Sequence, residues 1–449
     1  MENIAMAPYE AKKRALTAQL AGGGVSGVRL EKATSNLFRD RDRATGARLD
    51  VRDFNEVLGV DAVEGWVEVE GMTSYEKAVD ATLERGLMPT VVPQLKSITV
   101  GGAVSGIGIE SSSVKFGLVH ETVQEMEILT GNGEVVLCTP ENDHRDLFFG
   151  LPNSYGTLGY ILKLKVQTTP VKPYVRLEHN RHADPDSYFR EIEESGNRDI
   201  DFLDGVVFSL NEMYITSGRF EERAPYSSDY TFENIYYRSI RERQTDYLTT
   251  RSYLWRWDTD WFWCSKNLLA QNPIVRRIYG RGRLNSVFYT QLMRWNTKWR
   301  LTGLFNRVLG YHTESVIQDV DIPIENAPAF LRFLDAEIGI QPVWICPIRR
   351  RDKHQQFVLY PMDADRMYIN FGFWDVVRGR EKTPEGHYNK KVEAKVEALG
   401  GIKSLYSDAY YTREKFWELY NRDAYRALKR KYDPQGRFKD LYEKCVLRQ

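Results

Sequence analysis

The sequence predicts a mixed α+β fold built from more than one unit. Strand candidates come in pairs and helix candidates in separate blocks, with no regular strand–helix alternation of the kind that makes a parallel sheet. The chain has 449 residues, a length at which one core stops growing and two or three domains form. Hydrophobic residues make up 42% and charged residues 28% of the chain, the composition of an ordinary globular protein.

Along the chain, Tyr9 to Leu20 reads as an amphipathic helix ended by Gly22-Gly23-Gly24. A short strand starts near Val28, residues 39–48 (RDRDRATGAR) form a solvated loop, and Leu49 to Val51 ends a strand. Trp66 to Glu70 (WVEVE) alternates apolar and acidic residues, the period of a half-buried strand. Thr73 and Glu76 stand at capping-box spacing before a helix that buries Ala78, Val79, Thr82 and Leu83 and stops at Gly86. Pro89 to Pro93 is extended. Strands follow at Val123–Leu129 and Val135–Cys138, joined at Asn132-Gly133, a pair suited to a two-residue turn with positive φ at both positions. Asp146 to Phe149 begins a helix, and Tyr160 to Val166 is a strand with Leu162, Leu164 and Val166 on one side.

Pro170 and Pro173 place a domain boundary near residue 175. Beyond it, Phe202–Leu210 and Met213–Ser217 form a hairpin. Then come strand Val316–Ile322, helix Ala327–Glu337, strand candidates Val343–Pro347, Gln356–Tyr360 and Met367–Phe373, and helices Lys391–Leu399, Glu414–Tyr420 and Asp423–Tyr432.

Several function classes drop out. Lys and Arg total 62, as do Asp and Glu, so the chain lacks the positive field of a dedicated nucleic-acid binder. The four cysteines (138, 264, 346 and 445) are scattered without a CxxC pair, which argues against a disulfide scaffold or a cysteine zinc site and for a reducing compartment. The first 20 residues lack the basic start and apolar block of a signal peptide, and no stretch reaches the roughly 18–20 apolar residues of a membrane span. The expected location is cytoplasmic, with peripheral contact at the inner membrane face left open.

The most informative segment is TVGGAVSGIGIESSS, residues 99–113. Glycines let a backbone approach an anion closely, and small hydroxyl side chains add donors, so a diphosphate is the natural ligand; a glycine-rich turn demanded by packing is the competing explanation. Neither GxGxxG at a helix start nor GxxxxGK[ST] is present, which excludes a Rossmann fingerprint and a P-loop.

Taken in order, WVEVEGMTSYE, PTVVP, TVGGAVSGIGIESSSVKFG, the hairpin at Asn132-Gly133 and DLFFGLPNSYGTLGYILKLKVQTTP resemble the FAD-binding (PCMH-type) domain of the vanillyl-alcohol oxidase class, over about residues 26–175. QPVWICPI and LYSDAYYTREKFWELYN extend the resemblance, in matching order, to the Δ24-sterol reductase (seladin-type) branch. The resemblance implies a two-subdomain FAD-binding domain over 1–175 and an α+β substrate (cap) domain with C-terminal helices over 176–449. It is to a soluble form, because the N-terminal anchor of the eukaryotic sterol enzyme has no counterpart in these opening residues.

Carried over, the cofactor contacts are Gly101, Gly102, Gly106, Gly108, Glu110, Ser111, Ser112, Ser113, Lys115 and Gly117, with Gly156, Thr157 and Gly159 for the adenosine half. A first flavin loop falls on residues 32–36, with Ser35 and Asn36 as contacts. No histidine lies within 32–39 or 99–117, and Glu110 stands where the class often has one, so the FAD is expected to be noncovalent.

The implied activity is hydrogen transfer across a carbon–carbon double bond of a lipid, sterol-like or a methylene- or methyl-branched acyl chain, most readily as a reductase. With no second dinucleotide fold, NADPH would visit transiently, or an electron-donor protein would serve. The alternatives are an alcohol or aldonolactone oxidase that uses oxygen and has a polar cavity, and a catalytically silent flavin-binding lipid carrier.

Such chemistry needs a proton donor and exclusion of water. Tyr410 and Tyr411, with Arg413 to stabilise a phenolate, are the proton-relay candidates, and Glu110 is a second. Tyr368, Asn370 and Trp374 are candidate pocket residues. The aromatic cluster Tyr253–Trp263 reads either as packed core or as an apolar chamber. The basic stretch Ile274–Arg283 reads either as a solvated face or as a surface for anionic lipid. His120, Cys346 and Cys138 read as structural residues.

Overall fold

The computed structural model describes residues 2–22, 27–34, 47–299 and 311–448. The candidates Ser35 and Asn36, and most of the 39–48 loop, lie outside the described residues.

The strands in the first half are β1 (Arg29–Glu31), β2 (Arg48–Asp50), β3 (Val57–Asp61), β4 (Trp66–Glu70), β5 (Leu87–Pro89), β6 (Val123–Leu129), β7 (Val135–Cys138) and β8 (Tyr160–Pro170). β1 and β2 form a parallel pair. The others make one antiparallel sheet in the order β3-β4-β8-β6-β7, with β5 on the far end of β8. The alternation read from the sequence sets which side is covered: Val67, Val69, Leu164 and Val166 are buried in the main core.

The second half holds β9 (Tyr174–His182), β10 (Phe202–Ser209), β11 (Glu212–Glu221), β12 (Thr245–Thr249), β13 (His312–Pro323), β14 (Val343–Arg349), β15 (Met367–Gly379) and β16 (Ile402–Lys403). They form an eight-stranded sheet in the order β12-β9-β11-β10-β14-β15-β13-β16. The chain is thus a mixed α+β protein, and it passes from one sheet to the other between Pro170 and Tyr174.

The two faces of the larger sheet differ. Leu203, Val207, Val316, Val320, Ile345, Ile369 and Phe371 pack under helices Pro185–Ser195, Ala327–Phe333 and His387–Ala398. Residues of opposite parity, including Asp204, Trp344, Cys346, Asp319, Asp321, Asn370 and Trp374, project from the other face. That face turns toward the first half: Ile107 and Leu118 share a core cluster with Ile348, Tyr360 and Tyr368.

Local chemistry differs from the sequence reading in three places. The helix Tyr75–Leu83 is capped by Ser74, whose side chain accepts from the Lys77 amide, because Thr73 instead donates to the Glu56 carbonyl. In the β6–β7 connection only Gly133 has positive φ, at 86°, and its amide bonds the Thr130 carbonyl, so the loop is longer than a two-residue turn. Gln356–Tyr360 is not a strand: Val358 N–H bonds the Phe149 carbonyl of the first half, so this backbone docks across the two halves rather than joining a ladder.

The C-terminal helices, grouped with the second half by the sequence reading, pack on the first. Lys429 Nζ donates to the Thr157 carbonyl at 2.7 Å and Lys444 Nζ to the Tyr155 carbonyl at 2.6 Å. Leu428 lies so close to Gly150 that a Cβ there would meet its Cδ1 at 2.2 Å. Leu428→Ala removes this contact from a buried site and is expected to lower stability by about 2–5 kcal/mol, read from chemical denaturation. A loss within about 0.5 kcal/mol would show that the tail is not docked there.

Candidate functional site

A cleft opens between the glycine-rich segment and the start of β8. It is lined by Gly71, Gly101, Gly102, Ser105, Tyr155, Gly156, Gly159 and Ile161, with Arg29, Lys32, Lys439 and Lys444 around them. Two separated glycine blocks therefore meet with four cations drawn from both ends of the chain. The glycines are needed for close packing: a Cβ on Gly71 would lie 2.0 Å from the Ile161 carbonyl oxygen, and one on Gly101 2.7 Å from the Gly71 carbonyl oxygen.

The amides of this loop are not all free to bind an anion. Gly101 N–H bonds the Gly71 carbonyl and Gly102 N–H bonds Thr99 Oγ1. These glycines offer a bare surface for close approach, while the positive charge comes from side chains. The cleft fits a diphosphate on both counts, shape and charge.

Backbone strain gathers beside it. Ile107, Asn153 and Tyr155 have φ of 60°, 63° and 51°, left-handed values that are especially unfavourable for a β-branched residue. Hydrogen bonds hold them: Tyr155 N–H to Ser105 O at 3.2 Å, and Asn153 Nδ2 to Leu359 O at 2.9 Å. Asn153 Oδ1 and Ser154 Oγ are buried without a protein partner.

The other carried-over residues sit deeper. Ser111 Oγ donates to Glu110 and shares a hydrogen bond with Tyr253 Oη, Ser112 Oγ donates to the Thr90 carbonyl, and Ser113 Oγ accepts from the Glu110 amide. Thr157 Oγ1 donates to the Ser154 carbonyl. Gly106 would meet the Gly102 carbonyl oxygen at 2.8 Å through a Cβ, and Gly108 would meet Val119 and Ala103. Gly117 has φ of 73° and the Glu121 carboxylate against it. Lys115 pairs with Asp201 at the surface. All of these hold the loop in shape; none lines the cleft.

Glu110 belongs to a buried ion triad. Arg256 Nη2 lies 2.7 Å from Glu110 Oε1 and 2.9 Å from Asp204 Oδ2, with all three side chains at most 3% exposed. Trp344 Nε1 donates to Asp204 at 3.1 Å, and Cys346 Sγ to the Glu110 carbonyl. Burial pushes the Glu110 carboxyl up, while Arg256 draws it down. Sequence reading missed Arg256 because it stands inside the aromatic run. That run is packed core: Tyr253, Trp257 and Trp263 are each at most 1% exposed.

A second polar group stands on the same sheet face. Tyr360 Oη donates to Asp321 at 2.7 Å, as does Asn370 Nδ2 at 2.8 Å. Trp374 Nε1 donates to Tyr406 Oη at 2.6 Å, and Tyr406 in turn hydrogen-bonds Asp319. Burial raises Asp319 to about 7, with Asp321 adding repulsion, and raises Asp321 itself to about 6. Of the three pocket candidates, Asn370 thus meets Asp321 directly and Trp374 reaches Asp319 through Tyr406, two carboxyls that sequence reading passed over. The third, Tyr368, accepts from the Asp363 amide.

Tyr410, Tyr411 and Arg413 are not brought to Glu110. The Tyr410 ring lies against Gly386 with the Arg448 guanidinium 5.2 Å from its centroid, and burial raises its hydroxyl to about 12. Tyr411 packs among Phe416 and Tyr420, and Arg413 stacks 4.6 Å over Tyr442. Arg413 therefore does not stand beside either phenol as a counter-charge. His120 is buried against Phe357, its pKa pushed down to about 3 by burial. Among the described residues there is no metal-ligating cluster and no helix long and apolar enough to cross a membrane.

Comparison with known proteins bears out the resemblance. An FAD binding domain family model matches residues 27–139. The chain is 27% identical over 403 residues to the Delta(24)-sterol reductase of Homo sapiens, covering 87% of this chain and 76% of that protein. It is 25% identical over 456 residues to the Delta(24)-sterol reductase of Pisum sativum, covering 90% and 77%. A shorter similarity, 29% over 147 residues, joins it to cytokinin dehydrogenase 9 of Oryza sativa subsp. japonica, over 32% of this chain and 28% of that one.

Two measurements follow. Arg256→Met leaves Glu110 and Asp204 buried without a counter-charge and is expected to lower stability by about 3–5 kcal/mol; the triple variant R256M/E110Q/D204N should recover part of that loss. Asp319 folds best as the neutral acid, so its contribution is complete below about pH 4, its unfolded value, and fades as pH rises through about 7. Asp319→Asn should flatten the fall in denaturation midpoint between pH 4 and 8, and an unchanged slope would contradict the assignment.

Proposed function

We propose that this chain is an FAD-linked reductase that saturates a carbon–carbon double bond of a lipid. The observation that carries the reading is the cleft where Gly101, Gly102, Gly156 and Gly159 meet Arg29, Lys32, Lys439 and Lys444. Similarity to Delta(24)-sterol reductases over 87% of the chain supports the reaction class. The reading takes the first half as the two-subdomain FAD-binding domain, completed by the C-terminal helices, and the larger sheet as the wall of the substrate domain.

In this reading the cations hold the diphosphate and Gly156 and Gly159 admit the adenosine half, noncovalently. Glu110, Ser111, Ser112, Ser113, Gly106, Gly108 and Gly117 keep the loop rigid. Bound FAD would supply the hydride equivalent. Saturating a double bond adds that hydride to one carbon and a proton to the other.

The best-placed proton holder is the Asp319–Tyr406 pair. Asp319 is poised near neutrality, and half-buried Tyr406 can pass a proton outward from its hydroxyl. Tyr410 and Tyr411 are the competing donors. Burial raises all three phenols, and what sets Tyr406 apart is its hydrogen bond to Asp319. NADPH or an electron-donor protein would supply the reducing equivalents.

The oxidase reading keeps one observation in its favour, the two carboxyls on the sheet face, which suit a hydroxylated substrate. Anaerobic titration separates the two: NADPH should bleach the bound flavin, and sugar alcohols or lactones should not. Lipid extracts from cells with and without the gene should differ by two hydrogens in one species, read by mass spectrometry. Tyr406→Phe should cut turnover on that lipid at least about 100-fold, with Tyr410→Phe and Tyr411→Phe near wild type. The reverse ranking would return the proton role to the latter pair.

A further inference from the structure

The short helix Pro273–Tyr279 is built inside out. Arg276 is 3% exposed, its guanidinium 2.7 and 2.9 Å from the two oxygens of buried Asp260, and it also donates to the Phe232 and Ala270 carbonyls. The opposite side presents Ile274 and Ile278, 72% and 74% exposed, with Arg277 between them at 75%. Leu269, just before the helix, is 68% exposed and held at φ 57°; Val287, just after it, is 42% exposed. A water-facing helix normally has the reverse pattern.

Charge gives the apolar side a partner. Residues 261–292 hold five lysines and arginines and no acidic residue, in a chain whose net charge is zero. Asp260 and Asp375 pair with Arg276 and Lys266, and Asp229 and Glu233 reach this surface from a neighbouring segment against Arg281 and Arg277. The last two are exposed pairs, weak in water, so Arg277, Arg281 and Arg283 leave the outer side of the helix net positive. Apolar residues interleaved with arginines on one rigid face match the boundary between anionic headgroups and acyl chains.

We propose that Ile274, Ile278 and Leu269, rimmed by Arg277, Arg281 and Arg283, dock this chain on an anionic lipid bilayer. The Arg276–Asp260 pair fixes the helix from beneath, so the isoleucines are presented without reordering the fold. A lipid substrate would then be met at the membrane surface. The docking face itself rests on the residues above and not on the proposed reaction.

The test is co-sedimentation of the full chain with vesicles of phosphatidylcholine containing 30% phosphatidylglycerol, roughly the charge density at which basic surfaces bind, against phosphatidylcholine alone. The wild type should pellet with the anionic vesicles at least about tenfold better, and the advantage should shrink in 0.5 M salt, where the Debye length is only a few ångströms, on the order of 4 Å. I274E/I278E and R277E/R281E should each lose most of that binding while keeping bound flavin and the wild-type melting temperature. Failure of the wild type to pellet, or equal binding by I274E/I278E, overturns the proposal. So does a concentration-dependent dimer that the same variant abolishes, which would assign the face to a second copy. Flavin content, read in the same samples, reports separately on the cofactor cleft.

Discussion

The buried guanidinium of Arg256 is the contact on which the arrangement of the two halves rests. It bridges Glu110, at the end of the glycine-rich loop, to Asp204, on a central strand of the larger sheet. An arginine at this depth needs counter-charges, and the two carboxylates supply them, while Arg256 Nε and Glu110 Oε2 are left without a protein partner. The loop is thereby positioned against the sheet by a short, directional link, and the strained backbone at Ile107 and Tyr155 has a fixed frame to be strained against. The surrounding aromatic rings exclude water and strengthen the link.

The period of two in the strands then divides the work of the larger sheet. One parity is apolar and seats three helices; the other carries acids, an amide and indoles toward the loop. A sheet face that is both buried and polar must satisfy its own hydrogen bonds, and most of this one does so through Tyr360, Asn370, Trp374 and Tyr406. Among the described residues Asp319 Oδ1, Asn370 Oδ1 and His179 Nε2 are exceptions.

Much of this was legible in the sequence. Alternation in WVEVE and in Tyr160–Val166 gave the first sheet, and Pro170 and Pro173 marked the passage to the second. Glycine blocks at 101–102 and 156–159, far apart in sequence, were assigned to one ligand and do line one cleft. Other features were not legible because they depend on distant partners. Nothing local distinguishes Asp319 or Asp321 from solvated acids. Arg256 is hidden in an aromatic run whose spacing suggests only packing. Gln356–Tyr360 has strand-like composition, yet its backbone finds a partner across the two halves. Tyr410 and Tyr411 lie next to an arginine in sequence, but the helix beginning at Arg413 carries its guanidinium to Tyr442 instead.

The cleft takes Lys439 and Lys444 from the last eleven residues of the chain and Arg29 and Lys32 from its beginning. Its ring of charge closes only when the carboxyl end returns to the amino-terminal sheet. Residues before position 439 thus supply every glycine of the cleft but only two of its four cations. The glycine floor and half of the surrounding positive charge are therefore separable parts of one cleft, the first carried by the smaller sheet and its loop, the second by the returning segment at 439–444.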